Sequence, residues 1–246
     1  MQTQSQVVVL LDVDNTLMDN DRFAADLTAR LNRDFGETER ERYWSIYGER
    51  RDKLGYADYL GALQEFRTDS NNEVALLQMS AFLLDYPFSE RLYPRALATI
   101  KHLGTMGTTA ILSDGDIVFQ PRKIQRSGLW DAFDGRVLVY LHKERMLDDL
   151  QRRFPALHYV MIDDKPQLLA TMKRELVDRL TTVFVRQGHY AAEADRIAIN
   201  PAPDVTIQYI GDLCDFALPV FHDAKATRAV DTDREKTPNA ASPEYS

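Results

Sequence analysis

The sequence predicts an α/β fold: a doubly wound, Rossmann-like parallel sheet with an all-helical insertion. Three observations carry this prediction. Short apolar runs of strand length alternate with single segments of helix length, polar residues directly follow four of those runs, and a long segment after the first run has no strand pattern.

The first apolar run, residues 7–11, contains five consecutive apolar residues, three of which are β-branched. Such a run predicts a strand that is buried on both faces. Asp12 and Asp14 follow at once, and their spacing at a strand end would point both carboxylates the same way. Two buried like charges repel each other unless a cation or a proton lies between them. We therefore expect a cation site here; the alternative is an acidic turn.

The next segment, residues 19–87, is rich in arginine, glutamate, leucine and aromatic residues. Phe23, Leu27 and Leu31 recur at four-residue spacing, which predicts an amphipathic helix, and residues 73–84 predict another. We interpret the segment as a helical insertion. Several aromatic residues are expected to form its own core rather than a stacking platform: Tyr43, Trp44, Tyr47, Tyr56 and Tyr59.

The alternation of strand and helix resumes after Pro94. Further strands are predicted at residues 108–112, 136–141, 158–162, 180–185 and 205–210. Helices are predicted at residues 96–103 and 120–127, after Lys143 through residue 153, and from 166 to 177. Strands joined by single helices specify a parallel sheet, which binds its ligands at the carboxyl ends of the strands.

This pattern predicts three regions along the chain. Residues 1–18 and 88–221 would form the α/β core, and residues 19–87 the helical insertion. Residues 222–246 are polar, charged and proline-bearing with little to bury, so we expect a disordered tail.

Polar side chains stand at four predicted strand ends. They are Asp12 and Asp14, then Ser113, then His142 and Lys143, and finally Asp163 and Asp164. Several carboxylates at one sheet edge favour a hard cation such as Mg²⁺. A lysine and a serine hydroxyl beside it would hold a dianion such as phosphate, with backbone amides as further donors. One carboxylate could then attack phosphorus while a second moves a proton.

Each of these positions has a structural alternative. Ser113 could be a helix N-cap, and Lys143 could be a solvated residue at a helix start. Asp163 and Asp164 could form a capping turn before the following helix. Four such motifs in this order favour the functional interpretation.

Neighbouring residues leave further alternatives open. Lys123 or Lys165 could supply the positive charge in place of Lys143. His142 could touch the substrate or face away from it. Asp116 could contact the substrate, although a turn or cap is the commoner role for such a residue.

Composition limits the classes of partner. The chain has 246 residues, enough to bury a core and carry an insertion. Its net charge of −8 and pI of about 5.2 argue against binding to nucleic acid or to a membrane surface, but not against an anionic substrate. Cys214, expected to pack on the core, is the single cysteine, so no intramolecular disulfide can form. Without a signal-peptide pattern or a run of about 18 apolar residues, we expect a cytoplasmic protein.

The order of the motifs resembles the haloacid dehalogenase (HAD) superfamily. An Asp-x-Asp-x-Thr motif at residues 12–16 is followed by Ser113, by Lys143 and by the Asp163-Asp164 pair, each at a successive strand end. The resemblance covers about residues 6–190, nearly all of the predicted core.

The resemblance implies roles for the acids. Asp12 would be the nucleophile and a metal ligand. Asp14 would be the general acid and base, with its backbone carbonyl on Mg²⁺, and Thr16 would steady the loop. Asp164 would bind the metal, and Asp163 would support it directly or through water.

The resemblance also implies a phosphate site. Ser113, with the amides of Asp114 and Gly115, would hold the phosphoryl oxygens. Lys143 would neutralise both the nucleophile and the phosphate.

True dehalogenases of the family lack an acid at the position of Asp14, since a leaving halide needs no proton. Asp14 therefore implies phosphoryl chemistry, and the insertion matches the family's helical cap, which selects the substrate. The resemblance implies an Mg²⁺-dependent phosphomonoesterase that acts on a small phosphorylated metabolite. A phosphomutase of the same family, or a non-catalytic regulatory or binding member, remains the alternative.

Overall fold

The computed structural model describes residues 5–69 and 72–216. Its strands are β1 (Ser5–Leu11), β2 (Thr108–Asp114), β3 (Val137–Tyr140), β4 (Ala156–Asp163), β5 (Leu180–Val185) and β6 (Val205–Ile207). The α-helices before β2 are α1 (Asn20–Phe35), α2 (Glu37–Leu54), α3 (Tyr59–Phe66), α4 (Glu73–Asp85) and α5 (Ala96–Gly104). Those after β2 are α6 (Phe119–Arg126), α7 (Leu129–Ala132), α8 (Leu147–Arg153), α9 (Pro166–Leu176) and α10 (Tyr190–Ala194). The predicted disordered tail lies outside the described residues, as does the end of the predicted core after residue 216.

The strands form one parallel sheet in the order β3-β2-β1-β4-β5-β6. The prediction of a doubly wound parallel sheet is confirmed. The chain adds β2 and β3 on one side of β1, then crosses back to add β4, β5 and β6 on the other side. Ligands of such sheets bind where this direction reverses, beyond the carboxyl ends of β1 and β4.

Strand β1 is buried on both faces, as its continuous apolar run predicts. Val7, Val9 and Leu11 belong to one core cluster, which α1, α5 and α6 cover. Val8 and Leu10 face the opposite cluster, which α8 and α9 cover. Successive side chains of a strand point to opposite faces, so one short run anchors both layers of helices.

Between residues 20 and 85, every described element is a helix. The division of the chain into a core and an insertion stays a prediction. The aromatic ring of Phe23 on α1 contacts the rings of Tyr59, Tyr86, Phe88 and Phe119, with centroid distances of 5.0–5.9 Å. This aromatic cluster packs α1 against α6, the helix that follows β2.

Two strands extend further than the sequence predicts. β2 continues through Ser113 and Asp114, which pair with β3, and β4 continues to Asp163, which pairs with Phe184 of β5. The neighbouring backbone keeps the ladder intact at these positions although the side chains are polar. At the edge of the sheet β6 is shorter than predicted and ends at Ile207.

One further difference concerns a helix. The segment predicted as helical after Lys143 through residue 153 begins with a 3₁₀ turn at Lys143–Arg145, and α8 follows it. Cys214, expected to pack on the core, lies in a 3₁₀ helix, Ile210–Asp215, and is half-buried. In the part of the chain that the structure describes, no helix is both long enough and apolar enough to cross a bilayer.

Candidate active site

A tight turn after β1 presents the first two acids. The carbonyl of Val13 accepts hydrogen bonds from the amides of Leu17 and Met18. Asn15 has a left-handed backbone conformation, with φ of 57°, which asparagine tolerates better than most residues. Its side-chain carbonyl accepts from the amides of Asn20 and Asp21 at 3.0 and 3.1 Å. The turn therefore ties the acidic strand end to the start of α1.

Three buried carboxylates meet at the carboxyl ends of β1 and β4. Asp12, Asp163 and Asp164 are each buried, and each offers a carboxylate oxygen within 4.8 Å of the others. The Asp12 amide donates to the carbonyl of Ile162 at 3.0 Å, which fixes the two strand ends side by side. Acids 151 and 152 positions apart along the chain thus form one acidic cluster.

Lys143 supplies the counter-charge to this cluster. Its Nζ lies 2.5 Å from Asp12 Oδ1 and 2.6 Å from Asp163 Oδ2, the second contact being an ion pair without hydrogen-bond geometry. Burial lowers the pKa of Lys143, but the carboxylates of Asp12 and Asp163 outweigh burial, and the net pKa is raised. Lys143 is completely buried, which excludes the alternative of a solvated residue at a helix start.

Asp164 is the acid of this cluster that forms no ion pair with a described residue. Among the described residues neither of its carboxylate oxygens finds a hydrogen-bond donor, although both are buried. Burial and then the charge of Asp163 raise its pKa well above the usual range. Burial also raises the pKa of Asp163, partly offset by Lys143. Buried, unpartnered carboxylate oxygens beside two further acids fit a hard divalent cation such as Mg²⁺.

The predicted phosphate-binding residues lie on the neighbouring strand. Ser113 is buried within β2, and its Oγ accepts a hydrogen bond from Gln120 Nε2 at 3.0 Å. It is not a helix N-cap, because α6 starts several residues later. Asp114 Oδ1 accepts from the Lys143 amide at 2.7 Å, and burial raises the pKa of Asp114 to about 6. β2 is thereby joined to the turn that carries Lys143.

Asp14 does not belong to the acidic cluster. Its Oδ1 lies 2.6 Å from Lys123 Nζ, and its Oδ2 accepts from Gln120 Nε2 at 3.3 Å. The predicted metal contact of Asp14 rested on its backbone carbonyl, and this side-chain arrangement leaves that prediction untested. Both carboxylate oxygens of Asp14 are therefore held by side chains of α6.

Three candidate residues remain. Two of them line the cavity, and the third accepts hydrogen bonds from backbone amides. Lys165 lines the cavity, with Nζ 5.5 Å from the centre of the Tyr190 ring. His142 also lines it and packs so close to Gly55 that a Cβ there would lie 2.5 Å from the imidazole. Asp116 is a cap, since its Oδ1 accepts from the amides at positions 118 and 119.

A cavity of about 940 Å³ opens between α1, α2 and the carboxyl edge of the sheet. Asp14, Asp114 and Asp164 line it from the sheet side. Trp44, Tyr47, Arg51, Tyr56 and Tyr59 line it from the helical side. Tyr43 and Tyr59 are core residues as predicted, and Tyr59 also forms a wall of the cavity together with Trp44, Tyr47 and Tyr56.

Sequence reasoning missed two polar groups of this site. The sequence pattern does not distinguish Gln120, and it offers Lys123 as an alternative to Lys143. In the structure Lys123 pairs with Asp14. Their three-residue spacing on an otherwise amphipathic helix would place both side chains on one face, which is the available signal.

Comparison with known proteins places this site in context. A haloacid dehalogenase-like hydrolase from Burkholderia xenovorans is similar at 56% sequence identity, with a TM-score of 0.81; the match covers 86% of this chain and 99% of that one. No protein-family model matches the chain, and no curated protein matches it.

Two more distant structures share the fold. L-2-haloacid dehalogenase from Xanthobacter autotrophicus is 19% identical, with a TM-score of 0.56 over 85% of this chain and 96% of that one. The HAD-hydrolase YfnB from Bacillus subtilis, in a structure bound to magnesium, is 16% identical, with a TM-score of 0.56 over 86% of this chain and 97% of that one.

Proposed function

This chain belongs to the haloacid dehalogenase-like hydrolases, and on that basis we propose that it is an Mg²⁺-dependent phosphomonoesterase acting on small phosphorylated metabolites. One observation carries the proposal. Asp12 is held by a buried lysine next to two further acids, while Asp14, a second carboxylate of a different environment, faces the cavity. Displacement of an alkoxide needs a proton donor, whereas displacement of halide does not, so Asp14 favours phosphate esters over haloacids.

Asp12, Asp163 and Asp164 would hold the metal, with the backbone carbonyl of Asp14. The buried and unpartnered oxygens of Asp164 support this assignment, as does the magnesium bound by YfnB. When bound, Mg²⁺ would neutralise charge on the transferring phosphoryl group. Lys143, whose Nζ donates to Asp12 Oδ1, would add a further positive charge.

The first half of the reaction uses both acids of the turn. An Asp12 carboxylate oxygen attacks phosphorus, and the bond between phosphorus and the ester oxygen breaks. Asp14 gives its proton to that oxygen, so the product leaves as an alcohol. Asp12 now carries the phosphoryl group, whose oxygens Ser113 and the amides of Asp114 and Gly115 would hold.

The second half restores the enzyme. Asp14, now ionised, takes a proton from a water molecule whose oxygen attacks phosphorus. The bond between phosphorus and Asp12 breaks, inorganic phosphate leaves, and the Asp12 carboxylate is regenerated. The helical side of the cavity would select the organic part of the substrate and limit access of water.

The direct test is a panel of small phosphomonoesters, assayed for inorganic phosphate with Mg²⁺ and with a chelator. We expect Mg²⁺-dependent release by the natural protein and a loss of at least about a thousandfold in Asp12→Asn, since that variant lacks the attacking carboxylate. Asp178→Asn is the matched control, because this exposed acid lies before β5, at the opposite edge of the sheet.

Other results would contradict the proposal in distinct ways. Phosphate release by Asp12→Asn would overturn the mechanism. Halide release from 2-haloacids would indicate a dehalogenase instead. An isomerised phosphate ester without free phosphate would indicate a mutase, and inactivity across the panel would favour a regulatory member.

A further inference from the structure

The side chain of Asp14 is gripped by a lysine that is itself enclosed. Lys123 is 1% exposed, and its Nζ donates to Asp14 Oδ1 at 2.6 Å and to Asn20 Oδ1 at 2.9 Å. A buried ammonium group is costly unless it is paired and hydrogen-bonded. The oxygens of Asp14 and Asn20 give this ammonium group two hydrogen-bond acceptors and leave Lys123 little freedom.

Aromatic rings surround the rest of the ammonium group. The centres of the Phe23, Phe88 and Phe119 rings lie 5.9, 5.9 and 5.6 Å from Lys123 Nζ. Ring faces at this distance attract a cation and exclude water. Phe23 comes from α1, Phe88 from the 3₁₀ turn before α5, and Phe119 from α6, so three parts of the fold fix the position of this one charge.

A second residue of α6 holds the other oxygen of Asp14. Gln120 is 3% exposed, and its Nε2 donates both to Asp14 Oδ2 at 3.3 Å and to Ser113 Oγ at 3.0 Å. Gly115 permits this approach, because a Cβ there would lie 2.8 Å from the Cβ of Gln120. The Asp14 carboxylate, proposed to transfer a proton, and the Ser113 hydroxyl, proposed to bind the phosphoryl group, thus share one hydrogen-bond donor, the side-chain amide of Gln120.

We propose that Lys123 and Gln120 are positioning residues that fix the Asp14 carboxyl group for proton transfer to the leaving oxygen. The proposal rests on the phosphatase function proposed above. Asp14 has 25% of its side chain exposed and faces the open cavity, so without these anchors its carboxyl could rotate. Proton transfer requires a donor within hydrogen-bond reach of the leaving oxygen, and a small misplacement of a catalytic group is costly.

A comparison of two substrates with different leaving groups tests the positioning role of Lys123 and Gln120. An alkyl phosphate needs a proton on its leaving oxygen, whereas 4-nitrophenyl phosphate releases an anion that needs none. The ratio kcat/KM reports the steps up to alcohol release, which include the first use of Asp14. In Lys123→Met, which keeps the side-chain length and removes the charge, we expect kcat/KM for the alkyl ester to fall about 100-fold. For the aryl ester we expect a fall of less than about tenfold.

Two further variants make the result specific. Gln120→Met should show the same preference for the aryl ester with a smaller fall, and it carries the test if Lys123→Met does not fold. Lys173→Met is the matched control: Lys173 Nζ is also partly buried and paired with an acid, Asp204, at 2.8 Å, but Lys173 does not line the cavity. We expect Lys173→Met to leave kcat/KM unchanged for both the alkyl ester and the aryl ester.

The outcomes separate the two proposals. Equal falls for both esters in Lys123→Met and Gln120→Met would show that these residues only stabilise the fold, and would overturn the positioning role. No phosphate release from either ester by the natural protein would overturn the proposed function and the positioning role with it.

Discussion

At the scale of single residues, burial of charge governs the site. Lys143 balances Asp12, and Lys123 balances Asp14, so each acid of the first turn has its own buried lysine. Asp164 forms no such ion pair among the described residues, and its pKa is raised by burial and by Asp163. The buried acids of the site are therefore paired unevenly with ammonium groups.

The raised pKa of Asp114 predicts how the stability of the fold should depend on pH. Its pKa is raised to about 6 by burial, whereas the unfolded value is about 3.9. The folded state therefore binds the proton more tightly, and the contribution of Asp114 to stability is lost as the pH rises from about 4 to about 6. Asp114→Asn keeps an oxygen for the Lys143 amide, and above pH 6 it should be more stable than the natural protein, by on the order of 2 kcal/mol.

Urea unfolding of both proteins between pH 4 and pH 8 measures this difference. The gain should grow up to about pH 6 and stay constant above it. Asp178→Asn, an exposed acid, should show no such trend. A gain for Asp114→Asn that is the same at every pH would contradict the assigned pKa.

Single residues also mark a limit of sequence reasoning. Asp12 and Asp14 could be predicted because they end a buried strand, where a charge is conspicuous. Lys123 could not be assigned to Asp14, since its position depends on the rings of Phe23 and Phe88, which other parts of the chain supply, as well as on Phe119 of its own helix. Nothing in the local sequence around Lys123 specifies Phe23 or Phe88 as a neighbour.

At the scale of elements, α1 connects the acidic turn to the helical segment. Asp19 caps the helix by accepting from the Arg22 amide at 2.8 Å, and Phe23 anchors it in the aromatic cluster. The alternation of strands with helices, and the helical spacing of the apolar residues, could be predicted from the sequence. The continuation of β2 through Ser113 could not, because it depends on pairing with β3.

Phe23→Ala tests how strongly the aromatic cluster holds α1. The side chain is completely buried against four rings, so its removal leaves a cavity and should cost about 3 to 5 kcal/mol of unfolding free energy. Chemical denaturation measures the loss. Leu77→Ala on α4 is the control, because Leu77 is 70% exposed and should change stability by less than about 0.5 kcal/mol. Similar small losses in both variants would show that the cluster packs loosely.

At the scale of the whole molecule, the site is a product of the sheet order. β1 lies between β2 and β4, which brings Asp12, Ser113 and Asp163 to one edge. The helical segment then closes that edge: Arg51 Nη2 of α2 donates to the Tyr190 hydroxyl of α10 at 2.7 Å. This contact and the close packing of Gly55 against His142 are two of the contacts that join the helical segment to the chain that follows the strands.

Mg²⁺ should stabilise the whole fold, because its proposed ligands come from two strands that separate on unfolding. At a concentration of 100 times Kd the gain is about 2.7 kcal/mol, or a rise in Tm of roughly 5 to 10 °C for a chain of this length. The raised pKa values of Asp163 and Asp164 mean that the metal must displace protons. The rise in Tm should therefore be larger at pH 8 than at pH 5.

Thermal unfolding with Mg²⁺ and with a chelator measures this effect without any substrate. Asp164→Asn should lose most of the rise in Tm, whereas Asp178→Asn should keep it. An unchanged rise in Asp164→Asn would place the metal elsewhere.

The sequence by itself determined the α/β class, the parallel sheet and the strand ends that carry Asp12, Ser113, Lys143 and Asp163, because hydrophobic periodicity and polar strand ends are local features. The tertiary structure decided which charges meet. Lys143 lies between Asp12 and Asp163, Lys123 pairs with Asp14, and Asp164 forms no ion pair with a described residue. These pairings depend on strand order and on ring packing between segments 20 to 131 residues apart, and local sequence does not encode them.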